Sequence, residues 1–133
     1  MIAEYIRDVI GLLASCPFQR RNGGGETHLS LMKERWTTSY GPKFERLLAA
    51  NGGEYFVGAS LTYVDVLMTH AITWIIEEID DECMVSFPSL IRQQQRIKAL
   101  PSIAEFLASD LWYPIGDSVY CRQVEVVLAR DIK

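Results

Sequence analysis

The chain has 133 residues, is 49% hydrophobic and carries a formal net charge of -4. That length suits one domain, residues 1–133, able to bury a core without disulfide or metal staples. The acidic balance argues against a nucleic-acid partner, which needs clustered Lys and Arg.

Helical spacing dominates from the first residue, and no alternating strand pattern competes with it. Met1 to about Cys16 places Ile2, Ile6, Val9, Ile10 and Leu13 on one side and stops before Pro17. Arg20-Arg21-Asn22-Gly23-Gly24-Gly25 reads as a flexible, exposed connector. A second helical stretch covers about Glu26 to Ala50, with Leu29, Met32, Trp36, Tyr40, Phe44, Leu47 and Leu48 inward, and Gly41-Pro42 is expected to bend or divide it. Asn51-Gly52-Gly53 ends that stretch, since glycine takes the left-handed cap conformation without penalty.

The segment Ser60-Leu61-Thr62-Tyr63-Val64-Asp65 then opens the most apolar helix of the chain. Thr62 stands at the N-cap and Asp65 at N3, the spacing at which each side chain can answer the other's unpaired backbone N–H. Leu61 and Val66 occupy the positions of a hydrophobic staple. Val64, Val66, Leu67, Met68, Ala71, Ile72, Trp74, Ile75, Ile76 and Ile79 follow, leaving almost no polar face, as in the buried central helix of a bundle. Asp65 is therefore expected to be a structural cap in a dry first turn; a catalytic acid there has no partner nearby in sequence. Asp80-Asp81-Glu82 ends the helix in water, and Pro88 and Pro101 each suit the first turn of a further helix, to about Lys98 and Ser109. A last short helix follows Asp117, with Val119, Val124, Val127 and Leu128 as its apolar positions. The fold class is an all-α bundle around a central helix.

Chemistry-bearing motifs are sparse. No apolar run reaches the roughly 18 residues of a membrane span, and the charged start Met1 to Asp8 is unlike a signal peptide, so a cytoplasmic protein is expected. Cys16, Cys83 and Cys121 are odd in number and lack metal-site spacing; they read as free thiols, buried or partly so. His28 and His70 have no Cys, Asp or Glu at ligand spacing, so no metal is expected. Gly23-Gly24-Gly25 lacks the Lys-Ser/Thr of a phosphate-binding loop.

Asn51-Gly52-Gly53-Glu54-Tyr55-Phe56-Val57-Gly58 with Ser60-Leu61-Thr62-Tyr63-Val64-Asp65 resembles the loop and capping box before the core helix of the cytosolic glutathione transferases. Gly41-Pro42-Lys43-Phe44-Glu45 resembles that family's preceding helix, and Phe87-Pro88-Ser89-Leu90 through Ala99-Leu100-Pro101-Ser102-Ile103-Ala104-Glu105-Phe106-Leu107 its following pair. The resemblance spans nearly the whole chain and is closest in flavour to the sigma, pi or mu class. It implies the helical C-terminal half of such an enzyme, without the thioredoxin-like N-terminal domain that holds most of the glutathione site; no βαβ pattern occurs here. No catalytic residue is then assigned in this chain, which is expected to be inactive alone.

The resemblance carries over some site residues. Asp8, in Ile6-Arg7-Asp8-Val9, matches the acid that reaches across a dimer toward the γ-glutamyl ammonium of glutathione. Gly11, Ser15 and Phe18, at i+3, i+7 and i+10 from Asp8, match the helix face that borders the hydrophobic electrophile pocket. Serine at the first aromatic position of that pattern is a departure. A homodimer through the first two helices is implied. The alternative is a transferase-like protein without catalysis, of crystallin or assembly type, in which the bundle serves packing or association.

Overall fold

The computed structural model describes residues 1–21, 23–112 and 118–131, and the side chains of all of these except 20, 21 and 129–131. Regular structure among the described residues is entirely helical. The first helix, α1 (Ile2–Ala14), turns Ile6, Val9 and Leu13 into the core, as their spacing requires. It ends before Pro17, but no loop follows: Pro17 lies in the first turn of a short helix, α2 (Cys16–Arg21), where a missing N–H costs nothing.

The connector expected at Arg20 to Gly25 is much tighter than its composition suggested. Arg20 and Arg21 close α2, and Gly25 is buried at the start of the next helix, α3 (Gly25–Arg35). Gly23 makes the turn with φ +79°, and the Gly24 N–H donates to the Gln19 carbonyl at 3.0 Å. Asn22 lies outside the described residues.

A π-helical turn, Trp36–Tyr40, joins α3 to α4 (Gly41–Ala50). Pro42 has no N–H for the carbonyl one turn back and its ring would crowd it, so the wider turn absorbs the mismatch that Gly41-Pro42 announced. Gly41 has a separate reason to lack a side chain. A Cβ there would fall 2.4 Å from the ring of Phe87 and 2.9 Å from the Trp36 carbonyl. Phe87 in turn packs edge-on against Trp36, with ring centroids 5.9 Å apart. Met32, Trp36, Phe44 and Leu48 are buried as their spacing predicts, whereas Leu29, Tyr40 and Leu47 are half-covered at the rim of the core.

After Ala50, Gly52 and Gly53 take φ +89° and +81°, and the Gly53 N–H closes back on the Leu48 carbonyl at 2.9 Å. The loop that follows is held by side chains. Asn51 Nδ2 donates to the carbonyls of Tyr55 and Gly58 at 2.7 and 2.8 Å. Arg96 lies 4.5 Å over the Tyr55 ring and pairs with Glu54, whose carbonyl it also meets.

The central helix, α5 (Tyr63–Glu78), begins at the expected cap. Asp65 is fully buried. Its Oδ2 accepts from the Thr62 N–H at 2.8 Å and lies 3.1 Å from the Thr62 hydroxyl, so the capping box forms. Its Oδ1 accepts from the Phe56 N–H at 2.9 Å and from Gln93 Nε2 at 2.7 Å. Helix α5 packs against α1 on one side and α6 (Pro88–Lys98) on the other, with Met68, Ile72 and Ile75 between them. It is not buried all round, however. Val66 is 42% exposed and Leu61 43%, so the staple pair faces outward rather than into the core, and Tyr63, Leu67 and His70 share that open side.

Asp80 does not end α5 merely in water. It caps a 3-10 turn, Asp81–Met84, accepting from the Cys83 N–H, and takes Lys33 Nζ of α3 at 2.6 Å. The start of α6 is capped by a side chain from another helix: both oxygens of Glu45 accept from the N–H groups of Ser89 and Leu90, at 2.8 and 3.0 Å. Helix α7 (Pro101–Leu107) ends sooner than Ser109, whose hydroxyl donates to the Phe106 carbonyl at 2.6 Å.

The last helix, α8 (Ser118–Asp131), meets α2. Its expected inward positions differ in outcome: Val119, Val127 and Leu128 are exposed, Val124 is half-buried and Cys121 is the buried one. One neighbouring helix can cover only a narrow stripe of α8. Asp117, expected to precede it, lies outside the described residues.

Stability measurements follow from the buried contacts. Gly41→Ala is expected to lose about 1–3 kcal/mol through overpacking against Phe87. Asp65→Ala, which strands buried donors at Phe56, Thr62 and Gln93, should lose more than about 3 kcal/mol, while Asp8→Ala stays within about 0.5 kcal/mol. Urea unfolding midpoints check both statements, and equal midpoints for the two aspartate variants would refute the structural role given to Asp65.

Candidate functional site

Asp8 stands on the exposed side of α1, opposite Ile6 and Val9, which face the core. Its carboxylate has no hydrogen bond or ion pair among the described residues, so it is available to an external cation. Gly11 is exposed on the same helix, and a Cβ built on it would meet nothing within 4 Å, which leaves open space beside Asp8.

Helical spacing carries this face only as far as Ala14. Ser15 is the C-cap of α1, and its hydroxyl donates to the Leu12 carbonyl at 2.7 Å. Phe18 lies beyond the corner on α2, half-buried, with its ring edge-on to Tyr120 of α8 at 6.1 Å. Asp8 and Gly11 therefore share one helix, whereas Ser15 and Phe18 line the turn that follows it. Tyr120 joins this wall only through the tertiary fold; nothing in its local sequence marks it.

His28 of α3 reaches the same corner. Its Nε2 lies 2.9 Å from Ser15 Oγ and 3.3 Å from the Leu12 carbonyl. The serine hydroxyl and the imidazole thus converge on one carbonyl, and the pair clamps the end of α1. Neither residue announced the other in the sequence, being 13 positions apart.

Thr62 and Asp65 are far from this chemistry in role, since every oxygen of the carboxylate is occupied by donors of its own fold. Among the described residues no group of three His, Cys, Asp or Glu side chains could hold a metal ion. No described helix is long and apolar enough to cross a membrane. All three cysteines are buried and none is in a disulfide. Burial, followed by a hydrogen bond to Asp80, pushes the Cys83 thiol up to about 12, away from the reactive thiolate. Asp80 is held below the usual carboxylate range, first by its bond to Lys33.

A separate cavity of about 610 Å³ opens on the uncovered side of α5. Val66, Leu67, Ile103, Phe106 and Trp112 form most of its wall. His70 projects there between aromatic rings, 5.5 Å from Trp74 and 6.4 Å from Trp112. Burial lowers its pKa, opposed by the nearby Glu77, so the ring is neutral at pH 7.

The all-helical frame with its capped core helix fits the helical half of a glutathione transferase. The chain belongs to that family: the sequence model described as "Glutathione S-transferase, C-terminal domain" matches residues 7–110. It is 36% identical to mouse (Mus musculus) Glutathione S-transferase A1 over 110 residues, which are 80% of this chain and 47% of that protein. Human (Homo sapiens) Glutathione S-transferase A1 is 34% identical over the same shares, and rabbit (Oryctolagus cuniculus) Glutathione S-transferase alpha I 32%. The chain spans about half the length of the curated relatives it matches. The sigma, pi or mu flavour expected from the sequence is corrected by these relatives, whose names are A or alpha.

Cys83 provides a direct check of the burial argument. Iodoacetamide at pH 8 is expected to leave Cys83 unlabelled in the folded chain and to modify it fully after unfolding in urea, as read by peptide mass spectrometry.

Proposed function

We propose that this chain is the part of an alpha-like glutathione transferase that supplies one wall of the electrophile pocket and a dimer surface, in an enzyme that conjugates glutathione to hydrophobic electrophiles. Family membership over residues 7–110 is the observation that carries the reading. Glutathione is the co-substrate, and the compartment is the cytoplasm. The chemistry is attack of the glutathione thiolate on an electrophilic carbon, with a hydroxyl that stabilises the thiolate supplied by a thioredoxin-like domain.

In this reading Asp8 offers its free carboxylate to the γ-glutamyl ammonium of glutathione held by the partner of a homodimer. A charge-assisted bond of that kind fixes both position and charge. Gly11 leaves room above α1 for the electrophile, Ser15 contributes a small polar position at the corner, and Phe18 an apolar one. The clamp of His28 on Ser15 and Leu12 keeps that corner rigid, which matters because misplacement of a reactant by about 1 Å costs on the order of a hundredfold in rate. The first two helices, α1 and α2, supply the surface for the second copy.

The reading is tested on the chain alone and on a fusion to the N-terminal portion of the mouse relative. Glutathione titrated into the chain by calorimetry is expected to give no heat, and a generic aromatic electrophile no turnover. The fusion should turn over and run as a dimer in light scattering. In it, Asp8→Ala should raise the glutathione KM by about tenfold, the loss of roughly one charge-assisted bond, with kcat changed little. A fusion that folds, dimerises and shows no response to Asp8→Ala would overturn the role given to Asp8. The chain by itself, with Val66, Val119, Val127 and Leu128 exposed, is expected to self-associate; a monodisperse species at the monomer mass of 15.1 kDa at micromolar concentration would contradict that.

A further inference from the structure

Asn51 and Gly52 form an Asn-Gly pair, in which the backbone nitrogen reaches the preceding side-chain amide most easily because glycine puts no side chain in the way. The fold requires both members of the pair. Gly52 lies at φ +89°, where any other residue would be strained. Asn51 is exposed, yet its side-chain amide ties the loop together: Nδ2 donates to the Tyr55 carbonyl at 2.7 Å and to the Gly58 carbonyl at 2.8 Å. An amide nitrogen has two hydrogens, and both are used here.

The atoms that would react are engaged elsewhere in the native loop. The Gly52 N–H donates to the Ala49 carbonyl at 3.1 Å, and Asn51 Nδ2 is held by its two carbonyls. Attack on Asn51 Cγ needs the Gly52 nitrogen to give up its proton and swing toward the side chain, so both sets of bonds must open first. Opening is opposed by the anchors of the loop: the Phe56 N–H on buried Asp65, and Arg96 on Glu54 and over the Tyr55 ring.

The product does not fit the same loop. The bond from the Gly52 nitrogen to Cγ forms, the bond from Cγ to Nδ2 breaks, and Nδ2 leaves as ammonia with the proton that the Gly52 nitrogen loses. Water then opens the succinimide ring at either carbonyl, leaving aspartate or isoaspartate at position 51. In both cases a carboxylate, which only accepts, faces the carbonyl oxygens of Tyr55 and Gly58 where a donor stood.

We propose that Asn51-Gly52 is a modification site, a spontaneous deamidation that the native loop holds closed and unfolding opens, so that a chain that has stayed open is marked and cannot rebuild the loop from Asn51 to Gly58. The step consumes only water and is independent of glutathione. Its effect reaches the core through Phe56, whose N–H is one of the donors on Asp65.

The test incubates the purified chain at pH 8, folded in buffer and unfolded in urea. Pepsin cleavage in acid and peptide mass spectrometry then follow the gain of about 1 Da at Asn51, read apart from the chain's other Asn-Gly pair, Asn22-Gly23. The unfolded chain is expected to gain the mass at least about tenfold faster than the folded one, because the reactive form is populated only when the loop opens. Asn51→Gln, whose longer side chain would have to close a larger ring, should remove the gain in urea. Asn51→Asp, which places the product in the loop directly, should lower the urea midpoint and speed hydrogen exchange of the Phe56 amide by at least about tenfold. If Asn51→Asp does not fold, the same expectation is met, and Asn51→Ala, which removes the donors without adding charge, supplies the measurable shift. Equal deamidation rates in the folded and unfolded chain would overturn the proposal. So would an Asn51→Asp variant with urea midpoint and Phe56 exchange unchanged.

Discussion

The buried carboxylate of Asp65 is the contact on which the arrangement of this domain depends. It receives the N–H of Thr62 at the start of α5, the N–H of Phe56 in the preceding loop and the side-chain amide of Gln93 in α6. One side chain thus joins the start of α5 and the loop before it to α6, 28 residues further on. A buried anion is tolerable only when such donors surround it, and the donors are tolerable there only because the anion is present. Loss of either leaves the other stranded, which makes the junction all-or-none. The loop from Asn51 to Gly58 consequently has little freedom despite its glycines.

Other junctions repeat the logic with less burial. Glu45 of α4 caps α6, Asp80 joins the end of α5 to Lys33 of α3, and His28 of α3 clamps the end of α1. At α6 and α1 a backbone terminus that cannot satisfy itself is completed by a side chain from another helix, whereas at Asp80 the two helices are joined through the side chains. Between these caps the core is ordinary packing, tightest where Gly41 admits the ring of Phe87. The frame holds α1 with its apolar side inward, and so presents Asp8 and Gly11 outward beside a rigid corner. The proposed glutathione contact is a consequence of that orientation.

Helix α5 has more apolar surface than its neighbours cover. The side toward α1 and α6 is sealed, whereas Tyr63, Val66, Leu67 and His70 border open cavities. Exposed apolar surface of this extent is characteristic of a face that meets something else.

Much of the fold was legible because it rests on local rules. The apolar spacing of α1, the Pro42 distortion, the Gly52-Gly53 stop, the Thr62/Asp65 cap and the start and end of α6 all follow from interactions within a few residues. Other features were not legible. Pro17 and the glycine connector looked like breaks because composition reports the lack of regular pattern, not whether a short helix will be trapped there by packing. Val66 and Leu61 looked like a buried staple, and Val119, Val127 and Leu128 like a core stripe, because hydropathy records which faces prefer to leave water but not whether the fold supplies a cover. The acid at position 8 could be singled out by resemblance, but its freedom from partners could not. By itself the sequence determined most of the helices, the Thr62/Asp65 cap and the buried identity of Asp65. The tertiary structure alone decided that Glu45 caps α6, that His28 meets Ser15, that Phe18 meets Tyr120 and that His70 opens into a cavity. These pairings join residues far apart in the chain, where no periodicity or local spacing constrains which side chains meet.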